Sequence, residues 1–140
     1  MPGPTPPTRL WYDKNPIAKT DQIAGCFTSH SYTTRLLYTV PARRKAIVEM
    51  IYASVIRSVA ASTPHEPKFF VSFWISGDLY DFVLVWLNSS QNAVKDKDSF
   101  AAGGNVLLNA GDKIEFYTSD DSTGGECCYN AGYKLTEFDA

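Results

Sequence analysis

The chain has 140 residues, of which 44% are hydrophobic and 20% charged, and its formal net charge at pH 7 is −2. This length suffices for one domain that buries about two-thirds of the surface exposed in the unfolded chain, without help from disulfides or a metal. The charge lacks the basic footprint of a nucleic-acid-binding domain, no apolar run is long enough to span a membrane, and the N-terminus lacks the pattern of a signal peptide. We therefore expect one globular domain that binds neither nucleic acid nor membrane.

Residues 1–25 differ from the rest of the chain. Four prolines fall within the first seven residues, and proline disfavours both helix and strand pairing. The segment also carries Leu10, Trp11, Tyr12 and Ile17, which are untypical of a disordered tail. We predict an extended N-terminal arm over residues 1–25 that docks through these four side chains, either on a neighbouring subunit or back on its own domain.

The residues that follow the arm have the alternation of β-strands. Residues 31–40 alternate apolar with polar side chains, and Pro41 ends the run. Residues 46–57 fit both a helical stripe and one face of a strand. Their Ile and Val content and their strand neighbours favour a strand.

Two apolar runs, residues 69–75 and 79–87, flank the pair Gly77-Asp78 and predict a β-hairpin. The second run is apolar on both faces, which predicts a strand covered on both sides, by the partner sheet and by another subunit. Residues 88–104 are polar and predict a long surface loop.

Shorter strands are predicted at residues 106–108 and 113–119, followed by a last strand near the C-terminus. The total of seven or eight strands predicts an all-β fold, an antiparallel β-sandwich of jelly-roll-like form, over residues 26–140. The inward face of the last strand is predicted to consist of Cys127, Tyr129, Ala131, Tyr133 and Leu135.

The chain has three cysteines, Cys26, Cys127 and Cys128. Neighbouring residues in a strand face opposite sides, so a bridge between Cys127 and Cys128 is sterically poor. Because the sequence has no Cys/His spacing of a zinc site, the pattern favours buried, reduced thiols and assembly in a reducing cytoplasm. A disulfide from Cys26 to one of the other two stays open as an alternative.

No catalytic constellation is visible. The sequence lacks a GxSxG elbow, and His30 and His65 lie in loop-like sequence that is typical of non-catalytic histidines. The acidic residues fit turns better than a paired-carboxylate site, and they lack the spacing of a calcium loop. We predict no catalytic residue, no cofactor and no metal site, and therefore no enzyme.

Two groups of residues indicate binding. The basic run Arg43, Arg44 and Lys45 fits a solvated turn or a polar contact with a partner. Trp74 and Trp86 fit the core or a subunit interface, with stacking on a sugar ring as the alternative.

Two tracts resemble a family of small virion proteins of tailed phages. Residues 37–42, Leu-Tyr-Thr-Val-Pro-Ala, followed by Ala-Ile-Val at 46–48, resemble the strand and turn near the start of that family. Residues 107–114, Leu-Leu-Asn-Ala-Gly-Asp-Lys-Ile, resemble its late turn and strand, and the resemblance as a whole covers about residues 35–138. Arg43 stands where the family usually has glycine.

The resemblance implies a β-sandwich subunit on the outside of a phage particle: a head decoration (cement) or head-fibre protein, or a part of the tail, often trimeric. The leading hypothesis is a virion protein, assembled in the host cytoplasm, that stabilises the particle as a homo-oligomer bound to the major capsid protein or another virion protein. The alternative is a tail- or fibre-associated module that binds a receptor glycan. The residues expected to bind the partner are Leu10, Trp11, Tyr12 and Ile17 in the arm, with Arg43, Arg44 and Lys45 as polar contacts.

Overall fold

The computed structural model describes residues 14–28, 33–61, 66–88, 91, 93–119 and 125–140. Within these ranges the chain forms eight β-strands and no helix. The strands are β1 (Ile17–Phe27), β2 (Thr33–Thr39), β3 (Arg44–Val59), β4 (Lys68–Ile75), β5 (Asp78–Trp86), β6 (Lys97–Leu108), β7 (Lys113–Ser119) and β8 (Glu126–Asp139).

The eight strands form two sheets of four. One sheet has the order β1-β8-β3-β6 and the other the order β2-β7-β4-β5, and all neighbouring strands are antiparallel. An eight-stranded double sheet with this connectivity is a jelly roll. The predicted all-β antiparallel sandwich is thereby confirmed.

Aromatic side chains fill the space between the sheets. The ring of Phe69 on β4 lies 5.9 Å from that of Phe116 on β7 and 5.4 Å from that of Tyr129 on β8, so it joins both sheets. Offset contacts at these distances stabilise a core beyond the area they bury. The predicted inward face of β8 is confirmed, because all five of its members are buried: Cys127, Tyr129, Ala131, Tyr133 and Leu135.

Part of the predicted arm is a strand of the domain. β1 pairs with β8 along its whole length, with Ile17 opposite Glu137. The predicted boundary at residue 26 therefore falls inside β1. Leu10, Trp11 and Tyr12 lie outside the described residues.

The predicted loop over residues 88–104 is wrong from Lys97 onward. Residues 97–108 form β6, which pairs with β3 and lies at the edge of its sheet. An edge strand leaves much of its surface to solvent and carries polar and small residues without losing its pairing, so its sequence resembles a loop. The strand interpretation of residues 46–57 is confirmed by β3.

Cys26 and Cys128 form a disulfide between β1 and β8. The two residues are direct partners in the strand register. Cys127 is buried, as predicted, and takes no part in the disulfide because it faces the opposite side of β8. The prediction of reduced thiols is therefore wrong for Cys26 and Cys128, and the open alternative is correct. The inference of a reducing cytoplasm loses its basis.

The two tracts that carry the phage resemblance meet in space. β2 pairs with β7, and the pairing continues into the turns, where Val40 N donates to Asp112 O at 2.9 Å and Gly111 N donates to Val40 O at 3.0 Å. The buried Asp112 carboxylate accepts hydrogen bonds from Asn109 N at 2.8 Å and from Ser76 N at 3.0 Å. One side chain thus ties the β6–β7 turn to the β4–β5 turn.

The turn between β2 and β3 contains a residue in the left-handed conformation. Arg43 has a φ of 65°, a left-handed conformation that favours glycine because a Cβ crowds the following carbonyl. The Arg43 side chain is exposed, and its carbonyl accepts a hydrogen bond from Ala140 N at 3.0 Å. Arginine therefore adopts this conformation at a cost that glycine would not carry.

Candidate assembly surface

β5 is an edge strand whose large apolar side chains are half exposed. The exposed fractions lie between 47% and 51% for Leu79, Tyr80, Phe82, Val83 and Trp86. Within one chain only Leu84 and Val85 of β5 are buried, so the covering of its remaining side chains by another subunit stays a prediction. Apolar residues at alternate positions on both faces of an edge strand form a surface suited to a partner.

A groove runs between β5 and β6, the edge strands of the two sheets. Its volume is about 520 Å³. Apolar side chains of four strands line most of it, among them Val71, Phe73, Tyr80, Phe82, Phe100 and Val106. Glu49 is the one charged residue of the lining, and its carboxylate accepts a hydrogen bond from Thr136 Oγ1 at 2.7 Å.

Two glycines in the middle of β6 widen the groove. A Cβ placed on Gly104 would meet no atom within 4 Å, and one on Gly103 would approach only Glu49 O, at 3.6 Å. Neither glycine has the positive φ that would require it. Glycine inside a strand often marks a place where a ligand or another backbone comes close, and here it leaves open space.

Aromatic side chains also occupy the outer face of the sheet that contains β5. Trp74 is 38% exposed and Trp86 is 47% exposed. The predicted core position is therefore wrong for both, and the predicted subunit interface stays a prediction. Phe70 stacks on Tyr117 with ring centroids 4.7 Å apart. Asp81, between the two tryptophans in sequence, accepts hydrogen bonds from Ser72 and Tyr117.

The predicted polar contacts lie at the turn that leads into β3. Arg43 is exposed, whereas Arg44 Nη1 bonds Asp139 Oδ1 at 2.6 Å and its Nη2 donates to Asn15 O at 3.2 Å. Lys45 is half-buried opposite Phe138. Arg44 therefore ties β3, β8 and the segment before β1 together within the chain.

Ile17 lies near this cluster and is 51% exposed at the start of β1. The groove between β5 and β6 was not predicted from the sequence. The signal that points to it is the small-residue run Ala101-Ala102-Gly103-Gly104, once these residues are placed in a strand.

No protein-family model matches the chain, and no curated protein sequence matches it. Solved structures similar to it include that of infectious bursal disease virus Gt strain, 7% identical with a TM-score of 0.46, covering 99% of this chain and 38% of that one. A second is dimeric latent PorU from Porphyromonas gingivalis, 10% identical with a TM-score of 0.46, covering 87% of this chain and 13% of that one. A third is that of the disulfide-linked pili of Bacillus endospore appendages, 15% identical with a TM-score of 0.30, covering 93% of this chain and 97% of that one. The chain thus spans about two-fifths of the viral chain. Likeness at this level concerns the fold and carries no argument about function.

A buried carboxylate, Glu137, joins β1, β2 and β8. It accepts a hydrogen bond from Tyr38 Oη at 2.7 Å and lies 2.7 Å from Lys19 Nζ and 3.8 Å from Arg44 Nε. Burial alone would raise the pKa of Glu137, but hydrogen bonds from Lys19 and Tyr38 and the charges of Lys19 and Arg44 lower it overall. Burial, and then the hydrogen bond to Glu137, raises the pKa of Tyr38. The cluster therefore holds an ionised carboxylate against a neutral phenol.

The Glu137→Gln variant is expected to be less stable than the wild type by about 2 kcal/mol at pH 7, because charged hydrogen bonds are lost. The depressed pKa of Glu137 stabilises the fold above its ordinary value of 4.5, and this contribution disappears as the pH falls through the lower, folded-state pKa. The difference between variant and wild type should therefore shrink below about pH 4.5. Urea unfolding at a series of pH values measures it, with Asp78→Asn, at an exposed aspartate, as the control. A difference independent of pH would contradict the assignment.

The described residues offer one cluster of metal-ligating types, Cys26, Glu126 and Cys128. Two of these three residues form the disulfide and have no thiolate to give. A search of the described residues for a helix long and apolar enough to cross a membrane finds none.

Proposed function

We propose that this chain is a structural protein of a virus particle, a jelly-roll subunit that acts by adhesion to other subunits. In finer detail, we propose a decoration (cement) or head-fibre protein that binds the outside of a phage particle as a homo-oligomer. Its predicted contacts remain those of the sequence: Leu10, Trp11, Tyr12, Ile17, Arg43, Arg44 and Lys45.

The observation that carries the proposal is the half-exposed apolar surface of β5 beside an open apolar groove. Lone soluble domains rarely expose a continuous apolar patch of this kind, and larger patches mark interaction sites. Five large side chains on one edge strand cost free energy in water unless a partner covers them. This surface is typical of a protein whose exposed apolar side chains are buried when it assembles with other subunits.

The resemblance to phage virion proteins also gains a physical basis. Its two tracts form one hydrogen-bonded corner around Val40 and Asp112. Residues that lie seventy positions apart in sequence and build one corner are expected to recur together in proteins that share this fold. The corner supports common architecture, and the exposed β5 surface supports the role.

Stabilisation of a particle would follow from mass action. A subunit that binds the assembled lattice and not its free components shifts the equilibrium toward the lattice. Such a role requires a rigid subunit rather than a reactive site, and the disulfide and the Asp112 corner supply rigidity.

We also propose that the chain is not an enzyme. Its buried carboxylates have structural partners: Asp112 binds two backbone N–H groups, and Glu137 binds Tyr38 and Lys19. A hydrolytic pair would need two carboxylates that converge on a substrate-sized cleft. The groove between β5 and β6 is lined mostly by apolar side chains, with Glu49 as its one charged residue.

The test is the composition of particles purified from the native source. Quantitative mass spectrometry is expected to find this chain in a fixed ratio to the major capsid protein. Particles made without it should assemble and then lose their contents at a lower temperature, and adding the purified protein should restore the original temperature. Absence of the chain from particles would overturn the proposal.

A second candidate, a receptor-binding module for glycans, is favoured by the exposed Trp74 and Trp86. Aromatic faces beside hydrogen-bonding groups such as Asp81 and Ser72 suit sugar rings. Binding to a glycan array that is lost in Trp74→Ala and kept in Leu37→Ala, at an exposed site on another strand of the same sheet, would support this candidate over the first.

A further inference from the structure

We propose that residues 8–13 of one copy of this chain bind as an added strand in the groove between β5 and β6 of a second copy. The inference rests on the proposed role as an assembling subunit and names the contact that joins the copies. Each subunit would contribute one arm and one groove to the assembly.

The sequence of the arm fits an added strand. Residues 8–15 are a stretch without proline between Pro7 and Pro16, so their backbone N–H groups are available for pairing. Leu10 and Tyr12 alternate with Arg9 and Trp11, which in an extended segment places Leu10 and Tyr12 on the same side. Peptides that add to a sheet edge bind through backbone hydrogen bonds and through pockets for alternate side chains.

The groove fits this occupant. Its lining is apolar, and Tyr80, Phe82 and Phe100 offer aromatic surfaces to apolar side chains such as Leu10 and Tyr12. Its volume of about 520 Å³ lies in the range of sites that enclose small ligands. Gly103 and Gly104 leave open space where a further backbone can approach β6.

Tyr12 cannot reach the groove of its own chain. Lys14 O accepts a hydrogen bond from Asp139 N at 2.7 Å, which holds the base of the arm beside β8 at the β1 edge of the sheet. β1 and β6 are opposite edges, separated by three strand spacings, or about 14 Å. Tyr12 is two residues from Lys14 and extends at most about 7 Å from it. The groove that takes Tyr12 therefore belongs to another copy.

An arm at one edge and a groove at the other give a heterologous contact. Such contacts close when two copies exchange arms or when more copies form a ring, and they otherwise propagate into open chains. A ring would leave no arm and no groove unsatisfied.

Two variants separate the arm from the groove. Deletion of residues 2–13 removes the arm and leaves the described strands intact. Gly104→Leu fills the groove, and the fold should tolerate it because a Cβ there meets nothing within 4 Å. Ala101→Leu, which adds the same side chain at an exposed site of β6 outside the groove, is the matched control.

Light scattering of the purified full-length protein is expected to give a multiple of the 15.5 kDa chain mass. Each of the two variants should fall to a single chain mass, while the Ala101→Leu control keeps the mass of the wild type. Thermal unfolding of each variant establishes that it is folded.

Mixing the two variants tests the direction of the contact. The Gly104→Leu protein has an arm but a filled groove, and the deleted protein has a groove but no arm, so together they should form a dimer with one copy of each. A wild type that is monomeric at every concentration, a deleted protein that still assembles, or a mixture that stays monomeric would overturn the inference. Assembly that is blocked by Gly104→Leu alone would point to a two-fold contact through β5 instead. If the copies associate as proposed but the chain is absent from particles, the inference stands and the proposed function fails.

Discussion

Removing the disulfide between Cys26 and Cys128 is expected to lower the free energy of unfolding by about 4 kcal/mol. The bond closes a loop over a sequence separation of 102 residues, and a cross-link over so long a loop restricts the unfolded chain strongly. It also fastens β1, which pairs with β8 alone, to the rest of its sheet. Loss of the bond should therefore free this edge strand first.

Urea unfolding with and without a reductant measures this effect. The wild type should unfold at a lower urea concentration when reduced, and Cys26→Ser with Cys128→Ser should unfold at that lower concentration under both conditions. Cys127→Ala is the control, because it leaves the bond intact and should keep the sensitivity to reductant. A wild type that unfolds identically in both conditions would contradict the pairing.

Asp112→Ala is expected to destabilise the fold by about 3 kcal/mol. The substitution leaves the backbone N–H groups of Asn109 and Ser76 without the carboxylate that accepts their hydrogen bonds. Because Asp112 is buried, water replaces the lost acceptor poorly. Two turns at the same end of the sandwich should then loosen together.

Thermal and urea unfolding measure the loss, and hydrogen exchange at Ser76 and Asn109 locates it. Asp112→Asn keeps one oxygen and should lose about half as much stability. Asp78→Ala, at an exposed aspartate at the start of β5, is the control and should change stability by less than about 0.5 kcal/mol. Equal losses of stability in Asp112→Ala and Asp78→Ala would contradict this role of the Asp112 carboxylate.

The sandwich was predictable because its central strands carry clear alternation. The inward face of β8 and the strands around Val40 follow directly from apolar residues at every second position. β3 was ambiguous in isolation and was assigned through its neighbours, since residues 46–57 suit a helix and a strand equally on period alone. Tertiary pairing with β6 and β8 on both sides decides the case.

Edges and pairings were harder to predict. β6 is an edge strand of the described sheet, and the side without a strand partner there permits the composition of a loop. No local sequence pattern distinguishes it from a loop. The Cys26–Cys128 disulfide depends on which residue of β8 stands opposite Cys26, a fact about register between strands a hundred residues apart. The groove was hard to predict for the same reason. It exists only because β5 and β6 are both edge strands, and the order of the strands in the two sheets decides this.

The pairing of the first strand with the last has a consequence for synthesis. β1 emerges from the ribosome early, but β8, its sheet neighbour among the described strands, follows about a hundred residues later. At about 5–20 residues per second, the N-terminal strand waits several seconds for its partner. The nascent polypeptide therefore cannot close this sheet until β8 has left the ribosome, and a high yield of native protein depends on keeping β1 from foreign contacts until then.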